Sequence, residues 1–169
     1  MSKTDLQNAL DHLTYGIYVV TVGLEGGATA LTASWVSQVS FEPPLVMVAL
    51  GRERFSSRIL RQGKKFVVNV LEEGQERLAG AFASDEGEDR LSGVATVEPQ
   101  TTGAPVLAEA LAYLDCAVTE TVDVGDHTLF IGRVVGGGVL REGKPLSTAV
   151  SRLRYRRMER RSWWTIPRF

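Results

Sequence analysis

Two stretches decide the fold: residues 110–122, Ala-Leu-Ala-Tyr-Leu-Asp-Cys-Ala-Val-Thr-Glu-Thr-Val, and residues 128–140, Thr-Leu-Phe-Ile-Gly-Arg-Val-Val-Gly-Gly-Gly-Val-Leu. Both are rich in β-branched and apolar residues, and Gly125-Asp126 between them offers a tight turn, so they read as a long hairpin. Working outward, residues 16–22 (Gly-Ile-Tyr-Val-Val-Thr-Val) and 28–35 read as a second hairpin across Gly26-Gly27. Pro43-Pro44 breaks the chain before residues 45–50, Leu-Val-Met-Val-Ala-Leu, a continuous apolar run expected to be a buried strand. Residues 66–71 and 94–97 add two more strands, and Leu153 and Tyr155 alternate with arginines in a last one. Helical spacing is confined to short pieces. Thr4 with Gln7 resembles a capping box ahead of Leu6, Ala9, Leu10 and Leu13; residues 52–61 place Phe55, Ile59 and Leu60 on one side; and residues 73–82 place Leu78, Ala79 and Phe82 in register. Many closely spaced strands with only short helices between them predict a mainly β protein, a closed or nearly closed antiparallel barrel.

The chain has 169 residues, enough for one domain with its own core, and no composition break divides it. A net charge of −1 gives the whole molecule no bias toward nucleic acid or membrane, and neither is expected as a partner. The charge is unevenly spread: residues 151–169 hold Arg152, Arg154, Arg156, Arg157, Arg160, Arg161 and Arg168 against Glu159 alone, a basic C-terminal strand and arm. This arm is expected to pack on a partner subunit or near a bound phosphate, with Trp163 and Trp164 as anchors, rather than to meet nucleic acid or membrane through Arg152, Arg154 and Arg156 on one strand face. Cys116 is the only cysteine, so no intrachain disulfide forms. It shares an apolar strand face with Leu114 and Val118 and reads as a buried structural thiol. Residues 1–11 are polar and lack the apolar stretch of a signal peptide, and no apolar run approaches the roughly 18 residues of a membrane span. The cytoplasm is the expected location.

Several familiar chemistries are excluded. Residues 138–144 fit the first seven positions of a phosphate-binding G-x-x-x-x-G-K loop, but Pro145 stands where the magnesium-binding hydroxyl belongs. No G-x-G-x-x-G joins a strand to a helix, and no G-x-S-x-G is present. His12, His127 and Cys116 are too few and too far apart for a zinc site, so no metal is expected.

Three stretches carry candidate binding chemistry. Residues 31–40 place Thr32, Ser34, Ser37 and Ser40 beside Trp35, donors and acceptors with an aromatic wall that suit a heterocycle with amide-like edges, or else simply a Ser/Thr-rich strand. Residues 51–58, Gly-Arg-Glu-Arg-Phe-Ser-Ser-Arg, leave a buried strand and enter a helix, where unpaired N–H groups, Ser56, Ser57, Arg52 and Arg54 would suit a phosphate, or form an ordinary helix start. Gly125-Asp126-His127 is a tight turn whose histidine either orients a second ligand or is a plain turn residue.

In their order and spacing these pieces resemble the flavin reductase-like family, the FMN-binding split barrels. The matching pattern comprises residues 16–21, Leu31-Thr-Ala-Ser34, Val39-Ser-Phe-Glu-Pro-Pro44, Ser56-Ser57, residues 66–71, Cys116, Gly125-Asp-His127, Ile131-Gly132 and Pro145-Leu146. Ser34-Trp-Val-Ser-Gln38 is especially similar to the flavin reductase domain of diflavin flavoproteins. The resemblance implies a split β-barrel that forms a homodimer with one flavin per subunit, FMN or else FAD, near the interface. It implies an NAD(P)H:FMN oxidoreductase, using NADH or NADPH, that passes electrons to a flavin-dependent monooxygenase, a metal chelate or a rubredoxin. Carried over by position, Thr32, Ala33, Ser34 and Trp35 lie along the isoalloxazine, with Val39 and Ser40 near its reactive edge. Ala49, Leu50 and Gly51, with Ser56 and Ser57, hold the ribityl phosphate. Phe82 and Ala83 close over the flavin, and His127 lies at the nicotinamide side as the candidate catalytic residue. The family often carries Tyr or His after Pro-Leu, and residues 147–151 depart from that. A fixed-FMN electron carrier of the flavoredoxin type, without nicotinamide chemistry, is therefore the alternative.

Overall fold

The computed structural model describes residues 2–84, 90–97, 101–151, 153–155 and 164–165. The first helix, α1 (Lys3–Leu10), is capped by Ser2, whose Oγ accepts from the Asp5 N–H while the Asp5 carboxylate accepts from the Ser2 N–H, both at 3.1 Å. The capping box thus starts two residues before the expected Thr4. Ser2 is the residue with extended backbone angles (φ −73°, ψ 160°) ahead of the first turn, and that conformation defines the cap.

The strands follow in order. β1 (Tyr18–Leu24) and β2 (Gly27–Ala33) form the first hairpin, with Gly26 at φ 82° in its turn, a conformation that favours glycine. β3 (Val36–Ser40) is a separate strand paired with β4 (Leu45–Gly51). Sequence pattern carries β2 through Trp35. The chain instead bends at Ser34 and Trp35, where the Val36 N–H reaches back to the Ser34 carbonyl at 2.9 Å. The helix α2 (Phe55–Gly63) leads through Lys64 (φ 53°) into β5 (Lys65–Val70), and the short α3 (Glu76–Ala81) follows. Two-residue strands β6 (Thr96–Val97) and β7 (Val106–Leu107) pair with each other; β7 is not marked by any sequence pattern. The long hairpin is β8 (Ala112–Val124) and β9 (His127–Val139). Last, β10 (Arg154–Tyr155) pairs with β11 (Trp164–Thr165). The expected strand at residues 153–155 is therefore present, while the rest of the arginine arm, with Trp163, lies outside the described residues.

Seven strands form one antiparallel sheet in the order β2-β1-β5-β8-β9-β4-β3. Its two edges, β2 and β3, are neighbours in the chain. Val20 and Val22 of β1, Leu31 of β2, Val46, Val48 and Leu50 of β4, Phe66 of β5 and Phe130 of β9 share one core, with Leu60 of α2 packed among them. Strands from opposite ends of a sheet can meet in one interior only if the sheet is rolled, so this is a split β-barrel. Register shifts between Asp115 and Cys116 and between Val118 and Glu120 help bend the long hairpin. A second core, with Ile17, Val19, Leu71, Phe82, Leu107 and Leu146, covers the outer side of β1 and seats α3. Both faces of β1 are buried, which is why its sequence, Tyr-Val-Val-Thr-Val-Gly-Leu, does not alternate between apolar and charged residues.

Cys116 is fully buried, as its strand face predicted, and its thiol is pushed up to about 12 by burial and by the neighbouring Asp115. A thiol held neutral and out of water does not attack disulfides. Native protein at pH 8 is therefore expected to leave Ellman's reagent unreacted, with one equivalent released on unfolding; a rapid reaction of the native protein would contradict this packing.

Candidate functional site

Four segments converge where β4 ends and β9 begins. In the β4–β9 ladder Gly51 stands opposite His127. The Trp35 carbonyl accepts from the Ala49 N–H at 2.9 Å, which brings the β2–β3 bend to the same place. The Asp126 carbonyl accepts from the Arg52 N–H at 3.0 Å, which ties the hairpin turn to the approach of α2. The ring of Trp35 lies on that of His127, centroids 4.6 Å apart, and Tyr15 flanks Trp35 at 6.4 Å. His127 Nδ1 meets Asp126 Oδ1 at 2.6 Å, so the neighbouring carboxylate sets the orientation of the imidazole.

On the α2 side, Arg54 is the N-cap without a side-chain cap bond, and Arg54, Ser56 and Ser57 are all buried. Ser57 Oγ and, on the β2–β3 bend, Ser34 Oγ are buried with no hydrogen-bond partner among the described residues. A buried hydroxyl left unsatisfied costs about 1–3 kcal/mol, so two of them on segments that meet at residues 49–51 point to a polar ligand that completes the site. A flavin fits this donor set. It carries amide-like ring edges for the bend and, in its nucleotide forms, phosphate for the helix start.

The candidate residues divide by where the chain places them. Trp35, Ala49, Gly51, Ser57 and His127 come together as described, with Ser34 and Ser56 beside them. Leu50 and Ala33 point their side chains into the barrel core, so only their backbones are available to a ligand. Thr32 is tied to α3: its N–H donates to the Phe82 carbonyl and its hydroxyl to the Ala79 carbonyl. That bond positions the buried Phe82 and half-buried Ala83 beside β2. Val39 and Ser40 lie apart. Ser40 pairs with Leu45, four residues from Ala49, about 13 Å along the strand. Two neighbours of the cluster, Tyr15 and Asp126, are not among the residues that sequence reasoning assigns to the site. The carboxylate adjacent to His127 is a visible local signal; Tyr15 reaches Trp35 only through the fold.

The hairpin tip is clasped to α2. Arg61 donates to the carboxylate of Asp123 and, at 2.7 Å, to Thr128 Oγ1, which in turn donates to Asp123 at 2.6 Å. The Thr128 hydroxyl first, then Arg61, hold the Asp123 carboxyl below the usual carboxylate range. A lowered pKa means that the clasp is intact above the ordinary carboxylate value and is lost as pH falls through the folded one. Asp123→Asn is expected to speed amide hydrogen exchange at residues 127 and 128 several-fold at neutral pH. An unchanged exchange rate would show that the clasp does not hold the tip.

Among the described residues no cluster of His, Cys, Asp or Glu could hold a metal ion, and no helix is long and apolar enough to cross a membrane. Comparison with known proteins adds three findings. Residues 10–159 match the family described as flavin reductase like domain. Diflavin flavoprotein A 1 of Synechocystis sp. is 35% identical over 139 residues, covering 80% of this chain and 24% of that protein, so the chain spans about a quarter of the length of such relatives. Among solved structures, the NADH:FAD oxidoreductase SgcE6 of Streptomyces globisporus, in complex with NAD and FAD fragments, superposes with a TM-score of 0.79 at 33% identity, over 86% of this chain and 87% of that one. BorF, the flavin reductase component of a bacterial two-component tryptophan halogenase, does so with a TM-score of 0.79 at 28% identity, over 87% and 93%.

Proposed function

This chain belongs to the flavin reductase-like family, and on that premise we propose that it is an NAD(P)H-dependent flavin oxidoreductase that binds FMN. The observation that carries this is the pair of buried, unpartnered hydroxyls, Ser34 and Ser57, on the two segments that meet at the end of β4. When bound, a flavin supplies the capacity to accept a hydride from NADH or NADPH. The chain's own residues bind and orient. Ser56, Ser57 and the first turn of α2 hold the phosphate, where the helix dipole favours an anion. Thr32, Ala33, Ser34 and Trp35 line the ring, Val39 and Ser40 lie toward its reactive edge, and Phe82 and Ala83 keep water from it. Ala49, Leu50 and Gly51 let backbone approach the ribityl chain closely. Asp126 orients His127 at the side where the nicotinamide enters, and held geometry provides much of the acceleration.

The protein acts, in this proposal, as a single domain and a cytoplasmic homodimer with the flavin near the interface, and hands electrons to a flavin-dependent monooxygenase or another acceptor. The similarity to BorF, a reductase component that serves a separate halogenase, is in keeping with such a partner. FAD is the alternative flavin, in line with the similarity to SgcE6, an NADH:FAD oxidoreductase. One observation favours a second reading, a fixed-FMN electron carrier: Trp35 covers His127 in this structure. Anaerobic absorbance spectra of FMN-loaded protein separate the two. Rapid bleaching of the flavin bands by NADH or NADPH is expected. Bands that persist with both nucleotides but bleach with dithionite would overturn the reductase.

A further inference from the structure

The Trp35 and His127 rings lie 4.6 Å apart, tilted by 40°. Aromatic carbons pack at about 3.5 Å, so a third flat ring between them would need about 7 Å from plane to plane. None fits. His127 has only 8% of its surface exposed, its Nδ1 is engaged by Asp126, and its backbone lies in the ladder opposite Gly51. A ring that is to stack on this imidazole must therefore displace something. Trp35 lies on the face of the imidazole and is itself only half-buried. Hydrogen bonds from the Ala49 N–H to the Trp35 carbonyl, and from the Val36 N–H to the Ser34 carbonyl, pin the main chain on both sides, so displacing the indole means turning the side chain rather than moving the backbone. Tyr15 at 6.4 Å gives the indole a second aromatic neighbour in its closed position.

We propose that Trp35 is a cap on His127 that determines how readily a nicotinamide ring enters the site. The indole swings off the imidazole before a nucleotide can stack there, and in the closed position it favours reductants that do not need that face. This rests on the assignment of His127 to the nicotinamide side.

The two histidines make the cap measurable without turnover. His12 is exposed and His127 is not, and diethyl pyrocarbonate acylates accessible neutral imidazoles. In Trp35→Ala, His127 is expected to be labelled at least about tenfold faster than in the unchanged protein, with His12 unaffected and Trp35→Phe retaining protection. Labelling is followed by peptide mass spectrometry, and unreacted Cys116 reports that the barrel is intact. If Cys116 becomes reactive in Trp35→Ala, then Trp35→Leu, which keeps bulk without a flat ring, serves instead. With saturating FMN, the NADH concentration giving half-maximal bleaching is expected to fall about tenfold in the same variant.

His127 labelling within about twofold of the unchanged protein, or equal labelling in Trp35→Phe and Trp35→Ala, would overturn the cap. Faster labelling with an unchanged NADH requirement would overturn its role in nucleotide entry while leaving the reductase standing. Flavin that neither protein lets NADH or NADPH bleach would overturn the reductase, and with it that role. Bleaching in Trp35→Ala alone would support the cap most strongly.

Discussion

Replacing Ser56 and Ser57 together by alanine is expected to weaken FMN binding about a hundredfold while riboflavin binding changes less than about threefold. Both side chains are buried in the first turn of α2, Ser57 Oγ has no partner among the described residues, and the capping Arg54 contributes no side-chain cap bond. A hydrogen bond to a charged group is worth about 1.5–3 kcal/mol, and two such losses account for the expected factor. Riboflavin lacks the phosphate, so it does not feel them. Ser34→Ala is the internal contrast. Its hydroxyl lies on the β2–β3 bend rather than on α2, and its loss is expected to affect FMN and riboflavin alike. Isothermal titration of both ligands against both variants decides the matter. Equal losses of FMN and riboflavin in the double variant would remove the phosphate from α2.

Phe66→Ala is expected to destabilise the fold by about 3–5 kcal/mol, the range for emptying a buried aromatic site. Phe66 is fully buried at the centre of the rolled sheet. Its ring lies over Gly132: a Cβ there would come within 2.7 Å of Phe66 Cε1 and 3.0 Å of Cys116 Cβ. The absent side chain at Gly132 and the large one at Phe66 are one fitted pair across the barrel interior. Alanine at 66 leaves the space above Gly132 empty, and neighbouring strands held in ladders on both sides cannot collapse into it. For a chain of this size the melting temperature should fall by about 10 °C. Denaturant unfolding should show a lower midpoint at nearly constant slope. A loss under about 1 kcal/mol would mean that the barrel interior is not packed as described.

Much of this protein is legible from local pattern. The continuous apolar run at residues 45–50 and the largely apolar stretch from Phe66 to Val70 are strands with core-facing side chains, and the turn at Gly125-Asp126 joins the two longest strands. Helix bounds are less legible. α2 begins at Phe55 rather than Arg52, because Arg54 takes an extended conformation as its cap, and composition does not reveal that. β3 is hidden inside a run of hydroxyl residues, since a bend at Ser34 and Trp35 leaves no mark in hydrophobic period.

For the site, the sequence alone determined which residue types were on hand: hydroxyls beside a strand, a serine pair at a helix start, a histidine after a tight turn. That much follows from short-range chemistry, because turn, cap and strand preferences act over a few residues. Only the tertiary structure decided which of them meet. The register that sets Gly51 opposite His127, the bond that draws Trp35 to Ala49, and the stacking of Trp35 on His127 join residues 14 to 92 positions apart. Contacts at such separations depend on how the whole sheet rolls and shears, and that is settled by the sum of core packing across seven strands. The same rolling turned Ala33 and Leu50 inward, tied Thr32 to α3, and carried Val39 and Ser40 away from the histidine.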